Sequence, residues 1–458
     1  MQRSMQPSER RAIRVDGRPS RAERHARKVE RLAHALHERR GPRPLRLRKR
    51  AVSHQVPNPR DAKHTDDAID ISAFDEILAI DPVARTCVAE PGVTFVDLVA
   101  ATLRHGLVPA IVPELKTITI GGAVAGCSIE SMSWRYGGFH DTCLEYEVVT
   151  ARGEVIVARP DGERALLFQM MHGTFGTLGV LVKLTFRLVP ARPFVALRYE
   201  THAGLDEYLE AIERHIEAED AEFLDGFVHA PDDHVLAVGR FVDEAPYTHR
   251  YDWTKVYYRS TRTRREDYLR TPHYFFRYDH GVTNAHPKSF LGRLLFGKML
   301  GSSQLLRLAE TFRAFLDPDE LPFTLDVFIP FSKVDDFLGW YARAFHHFPL
   351  WCVPYRQARP YEWLSRRFHE GAPDGLFLDF AIYGFKPSDG RNYHRMMEEK
   401  LLELGGLKTL ISRNYYSERE FWTIWNKENY DRIKAVTDPE NVFRDLYTKT
   451  CRAAQGLE

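Results

Sequence analysis

The apolar pattern changes character several times along the 458 residues. Between Ser20 and Arg40, Ala26, Val29, Leu32, Ala33 and Leu36 recur at helical spacing among Arg and Glu, which predicts an amphipathic helix docked on the body. Gly41 and Pro42 end it. From about Arg46 to Pro190 the pattern becomes one of short strands and tight turns, with β-rich runs at 76–80 and 86–90. Within it, Thr94 and Asp97 form a capping box for a helix whose stripe is Phe95, Leu98, Val99 and Leu103, closed by Gly106. Residues 144–150 and 154–158 alternate as a hairpin around Gly153, a helix follows near Ala165–Met171, and 180–189 reads as a long strand.

The middle of the chain, 191–410, reads as a second α+β unit. A helix over 205–216 carries Leu205, Tyr208, Leu209, Ile212 and Ile216, and strands are predicted at 223–230, 234–241, 323–330 and 377–384. Strands separated by helices point to a sheet covered on one face. Residues 411–458 form a helical tail, in which Ser417 and Glu420 cap the helix of Phe421, Trp422 and Trp425. The resulting division is a basic arm and helix (1–45), a first α+β domain (46–190), a cap (191–410) and a C-terminal helical segment (411–458).

Composition removes several classes. With 44% hydrophobic and 28% charged residues the chain is neither disordered nor fibrous, and no apolar run reaches the ~18 residues of a membrane span. Five scattered cysteines lack metal spacing and read as reduced thiols of a cytoplasmic protein. The net charge of +1 hides an asymmetry: residues 1–50 hold 17 Lys/Arg against 5 Asp/Glu. Such an arm can touch anionic lipid, nucleic acid or a phosphate-rich cofactor, or simply be solvated.

Chemistry concentrates in two glycine clusters. Gly121, Gly122 and Gly126 follow a short extended run, and Gly173, Gly176 and Gly179 lead into the 180–189 strand. Glycine lets backbone N–H groups approach phosphate oxygens closely, but a tight turn needs glycine as well. The spacing is not the dinucleotide-binding fingerprint, and no long helix or acid at the required distance follows. Two such loops around a hairpin suit a large, flat, phosphate-bearing cofactor.

The segments VAEPGVTFVDL, PELKTITIGG, IES and RYG, with the single-glycine hairpin, resemble the FAD-binding domain of the PCMH (vanillyl-alcohol-oxidase) superfamily. Further along, HYFFR (273–277), LDVFIP (325–330), FPLWCVP (348–354) and YYSEREFW (415–422) resemble the Δ24-sterol reductase branch, and the chain is also similar to actinobacterial 10-methylene-fatty-acyl reductases. The resemblance implies an α+β fold: a two-part FAD domain, a cap on an antiparallel sheet, and a C-terminal helical segment returning to the flavin. It also implies that Thr119, Gly121, Gly122, Ala123 and Gly126 lie along the pyrophosphate and ribityl chain, that Ser128, Ile129, Glu130 and Ser131 continue along the flavin, and that Gly176, Thr177, Gly179 and Val180 line the isoalloxazine.

The first FAD loop departs from the family pattern, because RKRAVSHQVPN (48–58) has no glycine. Lys49 and Arg50 are then expected to supply phosphate charge, and the FAD is expected to be non-covalent, with His54 as the alternative covalent attachment.

The cap is expected to supply the acid–base groups: Tyr415 as proton donor, with His273, Arg277 and Asn414. Tyr415 can equally be a packed aromatic, His273 a surface histidine and Glu130 the partner of a turn amide; Cys127 reads as a small packing residue. The implied activity is reduction of a lipid C=C bond, in a sterol side chain or a methylene-branched acyl chain, with NADPH as a transient donor. The alternatives are an FAD-linked oxidase or dehydrogenase of an alcohol, hydroxy acid or sugar lactone, and a non-catalytic lipid- or RNA-binding protein on the same fold. No nucleic-acid partner is expected, and the basic arm is expected to make peripheral membrane contact.

Overall fold

The computed structural model describes residues 19–51, 58–251, 255–279, 323–387 and 389–458. The arm before Pro19 and the loop carrying His54 lie outside them. The first helix, Arg21–His37, starts where Ser20 Oγ accepts the Glu23 amide while the Glu23 carboxylate accepts the Ser20 amide. Its Val29, Leu32 and Leu36 pack on Val149, Ala151, Val180 and Val182. The stripe read from the sequence is the docking face.

Strand β1 (Leu45–Arg48) pairs in parallel with β2 (Asp67–Asp70). The next six strands, β3 (Ile77–Asp81), β4 (Thr86–Ala89), β5 (Leu107–Pro109), β6 (Cys143–Val149), β7 (Val155–Ala158) and β8 (Val180–Pro190), make an antiparallel sheet. Its order is β3-β4-β8-β6-β7, with β5 on the end of β8. β8 alternates buried and partly exposed positions along most of its length, as a strand with one face on the core should. The helix Phe95–Thr102 is capped by Thr94 and closed through a short turn at Gly106, which takes a left-handed φ of 68°.

The second sheet holds β9 (Phe194–His202), β10 (Phe223–Ala230), β11 (Asp233–Val242), β12 (Glu266–Arg270), β13 (Phe323–Pro330), β14 (Leu350–Arg356), β15 (Leu376–Phe385) and β16 (Leu407–Lys408). All its pairings are antiparallel, in the order β12-β9-β11-β10-β14-β15-β13-β16. Helices Leu205–Ala218, Val334–Ala344 and Tyr393–Leu404 cover one face through Tyr208, Ile212, Phe337, Tyr341, Met397 and Leu401. The opposite face, with Phe227, Phe328, Tyr355 and Phe377, packs into the core it shares with the first sheet. The fold is α+β, and a cleft lies where the two halves meet.

The structure corrects one local expectation: Gly121 and Gly122 do not follow a strand but lie within a short helix, and the irregular stretch begins only after Gly126. Thr119 caps a short helix, Ile120–Ala125, because its hydroxyl takes the Gly122 amide at 3.2 Å. All five cysteines are free thiols. Among the described residues no helix is long and apolar enough to cross a membrane.

Candidate functional site

The two glycine clusters, some fifty residues apart in sequence, are bonded to each other. Gly173 N–H donates to Val124 O at 3.2 Å and Phe175 N–H to Ala125 O at 3.4 Å. Their glycines do different work. A Cβ on Gly121 would sit 2.5 Å from Pro91 Cβ, whereas one on Gly122 would meet only the Thr119 hydroxyl at 3.2 Å. Gly121 therefore serves packing, while Gly122 leaves backbone open to a ligand. Gly176 and Gly179 hold φ of 71° and 131°, which turns the chain sharply into β8.

The C-terminal segment grips the second loop. Lys449 Nζ donates to Phe175 O at 2.6 Å, Lys434 Nζ to Thr177 O at 2.8 Å, and Tyr430 OH to Thr177 Oγ1 at 2.9 Å. Burial lowers the Lys449 ammonium to about 8, so the loop carbonyl binds a cation that deprotonates unusually easily. Thr177, expected along the flavin, is buried and committed to these contacts.

Between the loops and the second sheet lies a narrow cleft. Gly126, Cys127, Ile129 and Gly173 form one wall, and Phe328, Tyr355 and Phe377 stand on the other. Buried polar groups border it. Tyr361 OH donates to Asp141 Oδ2 at 2.6 Å, and the Tyr355 and Tyr361 hydroxyls are 2.5 Å apart. Asp141 Oδ1, both His140 ring nitrogens and Trp363 Nε1 are buried without hydrogen-bond partners. Burial pulls His140 below the usual imidazole range although Asp141 opposes it, so the ring is neutral at pH 7. The unpartnered Trp363 Nε1 in the lining, with one glycine-bearing wall facing an aromatic one, fits a planar ligand with polar edges, such as a flavin.

The expected site residues separate into groups. Gly126 and Ile129 line the cleft; Tyr415, His273, Arg277 and Asn414 do not. Lys49 and Arg50 are exposed, and Arg50 pairs with Asp75 at 2.9 Å. Arg277, 1% exposed, bonds Asp225 Oδ2 at 2.9 Å, lies 3.3 Å from Glu130 Oε1 and stacks over Tyr274 at 4.0 Å. The other Glu130 oxygen accepts the amide and hydroxyl of Ser131, whose Oγ is 3.0 Å from Tyr274 OH. Arg277, Glu130 and Ser131 thus form a tie between the first half and the second sheet.

His273 is half-buried, and burial with neighbouring Arg250, Arg270 and Lys116 lowers its pKa. The Asn414 side-chain amide donates to Ser412 O and Thr450 O, both at 3.0 Å, as a structural brace. Tyr415 sits against the helix-covered side: its amide donates to Glu398 at 2.8 Å and its ring centroid is 6.1 Å from that of His394.

Sequence reasoning missed Asp326 and Asp379. Each interrupts an apolar strand, β13 or β15, in positions adjoining the cleft wall. An acid inside a run such as LFLDFAIYGF was the available signal.

Residues 47–159 match a family model described as an FAD binding domain. The Δ24-sterol reductase of Homo sapiens is 27% identical over 403 residues, covering 83% of this chain and 77% of that protein. The Arabidopsis thaliana Δ24-sterol reductase is 25% identical over 429 residues, covering 83% and 76%. The decaprenylphosphoryl-β-D-ribose oxidase of Mycolicibacterium smegmatis is 32% identical over 123 residues, 27% of this chain and 26% of that one. With the domain match falling on the half that supplies the first glycine loop, the chain is an FAD-dependent oxidoreductase carrying a PCMH-type FAD-binding domain and similar over most of its length to Δ24-sterol reductases.

Proposed function

We propose that the protein reduces a carbon–carbon double bond of a lipid, a sterol side chain or a methylene-branched acyl chain, with NADPH as the donor. The observation that carries this reading is the cleft: one wall of open glycine backbone, the other of aromatic side chains from the second sheet. In this reading Thr119, Gly122, Ala123 and Gly126, with Ser128 and Gly176, hold a non-covalent FAD, which supplies the hydride chemistry when bound. Phe328, Tyr355 and Phe377 exclude water and give an apolar chain a surface to lie on. Similarity to reductases over 83% of the chain supports the same direction of chemistry.

The test is optical. The purified protein should be yellow, its colour should stay in the supernatant after acid precipitation, and NADPH should bleach it without oxygen. A Δ24-sterol or a methylene-branched acyl ester should then restore the colour. Bleaching by a hydroxy substrate instead would favour the second reading, an alcohol dehydrogenase or oxidase, which the short match to the ribose oxidase supports. The basic arm, in the same proposal, touches anionic lipid. Deleting residues 1–19 should weaken liposome association, as should salt, which screens exposed charge over about 10 Å at 0.1 M; unchanged association argues against it.

A further inference from the structure

Asp326 and Asp379 occupy one patch of the second sheet. Asp379 is the register partner of Phe328 on β13 and of Val353 on β14, and it lies two residues from Phe377 on its own strand. Asp326 lies two residues before Phe328. Residues two apart on a strand, and register partners across strands, share a face. Phe328 and Phe377 line the cleft, so both acids stand on the sheet face that looks toward the glycine loops.

Asp379 is 2% exposed and its Oδ1 has no hydrogen-bond partner. Asp326 accepts the Tyr383 hydroxyl at 2.7 Å. Glu114, from the loop before the first glycine cluster, faces them from the other half, close enough for its charge to act on Asp379 and Tyr383. The guanidinium that bears on Glu114 is Arg277, which is engaged by Asp225 and Glu130.

We propose that Asp379 is the proton donor of the cleft, delivering its carboxyl proton to one carbon of the substrate double bond, with Glu114 as the group that returns a proton to it. The inference rests on the alkene-reductase reading above. The Asp379 O–H bond breaks, and the π pair of the double bond becomes a new C–H bond to that proton. FAD, when bound and reduced, would supply the hydride that forms the C–H bond on the adjacent carbon. Asp379, left as a carboxylate, regains a proton from Glu114, and Glu114 from solvent.

The electrostatics agree with this geometry. Burial, then Asp326 and Glu114, drive the Asp379 carboxyl well above its ordinary range. Burial lifts Glu114 to about 8, so it holds its proton at neutral pH, whereas Asp326, lifted only to about 6, is mostly ionised there and acts on Asp379 through its charge. A carboxylic acid kept neutral in this way is a donor, whereas a solvated one at pH 7 is only an acceptor.

The experiment compares the wild-type holoenzyme with Asp379→Asn and Asp379→Glu. Infrared spectra of the wild type at neutral pH should show the C=O stretch of a protonated carboxylic acid, shifted in heavy water and diminished in Asp379→Asn. FAD content and bleaching by NADPH should be unchanged in both variants. Reoxidation by a Δ24-sterol or a methylene-branched acyl ester should slow about a hundred- to ten-thousand-fold in Asp379→Asn, with partial recovery in Asp379→Glu. Wild-type reoxidation rates in Asp379→Asn, or no protonated-acid band in the wild type, overturn the proposal while leaving the reductase reading intact. A wild-type flavin that NADPH reduces and neither alkene reoxidises overturns the reductase reading, and the proposal with it. If Asp379→Asn fails to fold or to hold FAD, the wild-type band and the Asp379→Glu rates decide between the same outcomes.

Discussion

At the scale of single residues, the glycines of the site are not interchangeable, and the difference is measurable. A Cβ on Gly122 would meet only the Thr119 hydroxyl, at 3.2 Å, so Gly122→Val should need no more than a small shift of that cap and, on the proposed reading, should fill the backbone approach to the cofactor. We expect thermal unfolding of the apoprotein near wild type and visible absorbance per protein falling to a small fraction. Gly179→Val should behave differently. At φ 131° a Cβ would lie 3.0 Å from both Val148 Cγ1 and Val149 O on β6, so strain and overpacking should cost about 1–3 kcal/mol in the apoprotein as well. Equal apoprotein stability in the two variants would contradict this division. The clusters themselves were legible, because glycine repetition is a local signal. The division of labour was not, since Gly121 owes its identity to Pro91, thirty residues upstream. Tyr415 shows the same limit: its motif is local, but its neighbours Glu398 and His394 come from another helix.

Among the elements, the N-terminal helix is held by charge as much as by its apolar stripe. His25, 6% exposed, bridges Glu90 at 2.9 Å and Glu147 at 3.1 Å, and Lys28 joins Glu90 and Glu76, both at 2.8 Å. Burial lowers the His25 pKa, but bonds to Glu147 and Glu90 outweigh it and the net shift is upward. Glu76, bonded by Arg24, and Glu147, which overcomes its burial through His25 and Lys183, both fall to about 2. The raised histidine contributes stability that is complete below its ordinary 6.5 and lost as pH rises through its folded value. The lowered acids contribute above their ordinary 4.5 and lose it as pH falls toward 2. Helix docking should therefore be tightest between about pH 4.5 and 6.5. His25→Gln should cost about 1.5–3 kcal/mol at pH 6 and flatten the alkaline limb of the stability curve; an unchanged limb would assign it to other groups. Elements such as this helix were readable because capping and 3.6-residue periodicity are written locally. The acids on β13 and β15 were not, because those strands are covered on both faces and the period-2 signal that tells inward from outward is lost.

The whole molecule depends on how its two halves are joined, and Arg277 ties them at a point with no access to solvent. Its guanidinium neutralises Asp225, on β10 of the second sheet, and faces Glu130, on the loop that follows the first glycine cluster. Asp225 is further held by Tyr278 OH at 2.8 Å and Trp351 Nε1 at 2.9 Å. The sequence motif makes Arg277 a candidate site residue; the structure places it in a buried ion pair with Asp225 and Glu130, outside the cleft lining. Arg277→Met keeps much of the side-chain volume and leaves two buried acids without their cation. Breaking such a pair costs about 3–5 kcal/mol, because the surviving charge stays desolvated. Adding Asp225→Asn and Glu130→Gln to Arg277→Met removes those charges while preserving acceptors for Tyr278 and Trp351. Urea denaturation should therefore show the single variant as the least stable and the triple variant recovering part of the loss. On the proposed reading the single variant should also release FAD at lower urea than it unfolds, since Glu130 lies on the loop that follows the first glycine cluster. If the triple variant is no more stable than Arg277→Met, the tie works through the shape and stacking of the guanidinium over Tyr274, 4.0 Å away, and charge balance is secondary.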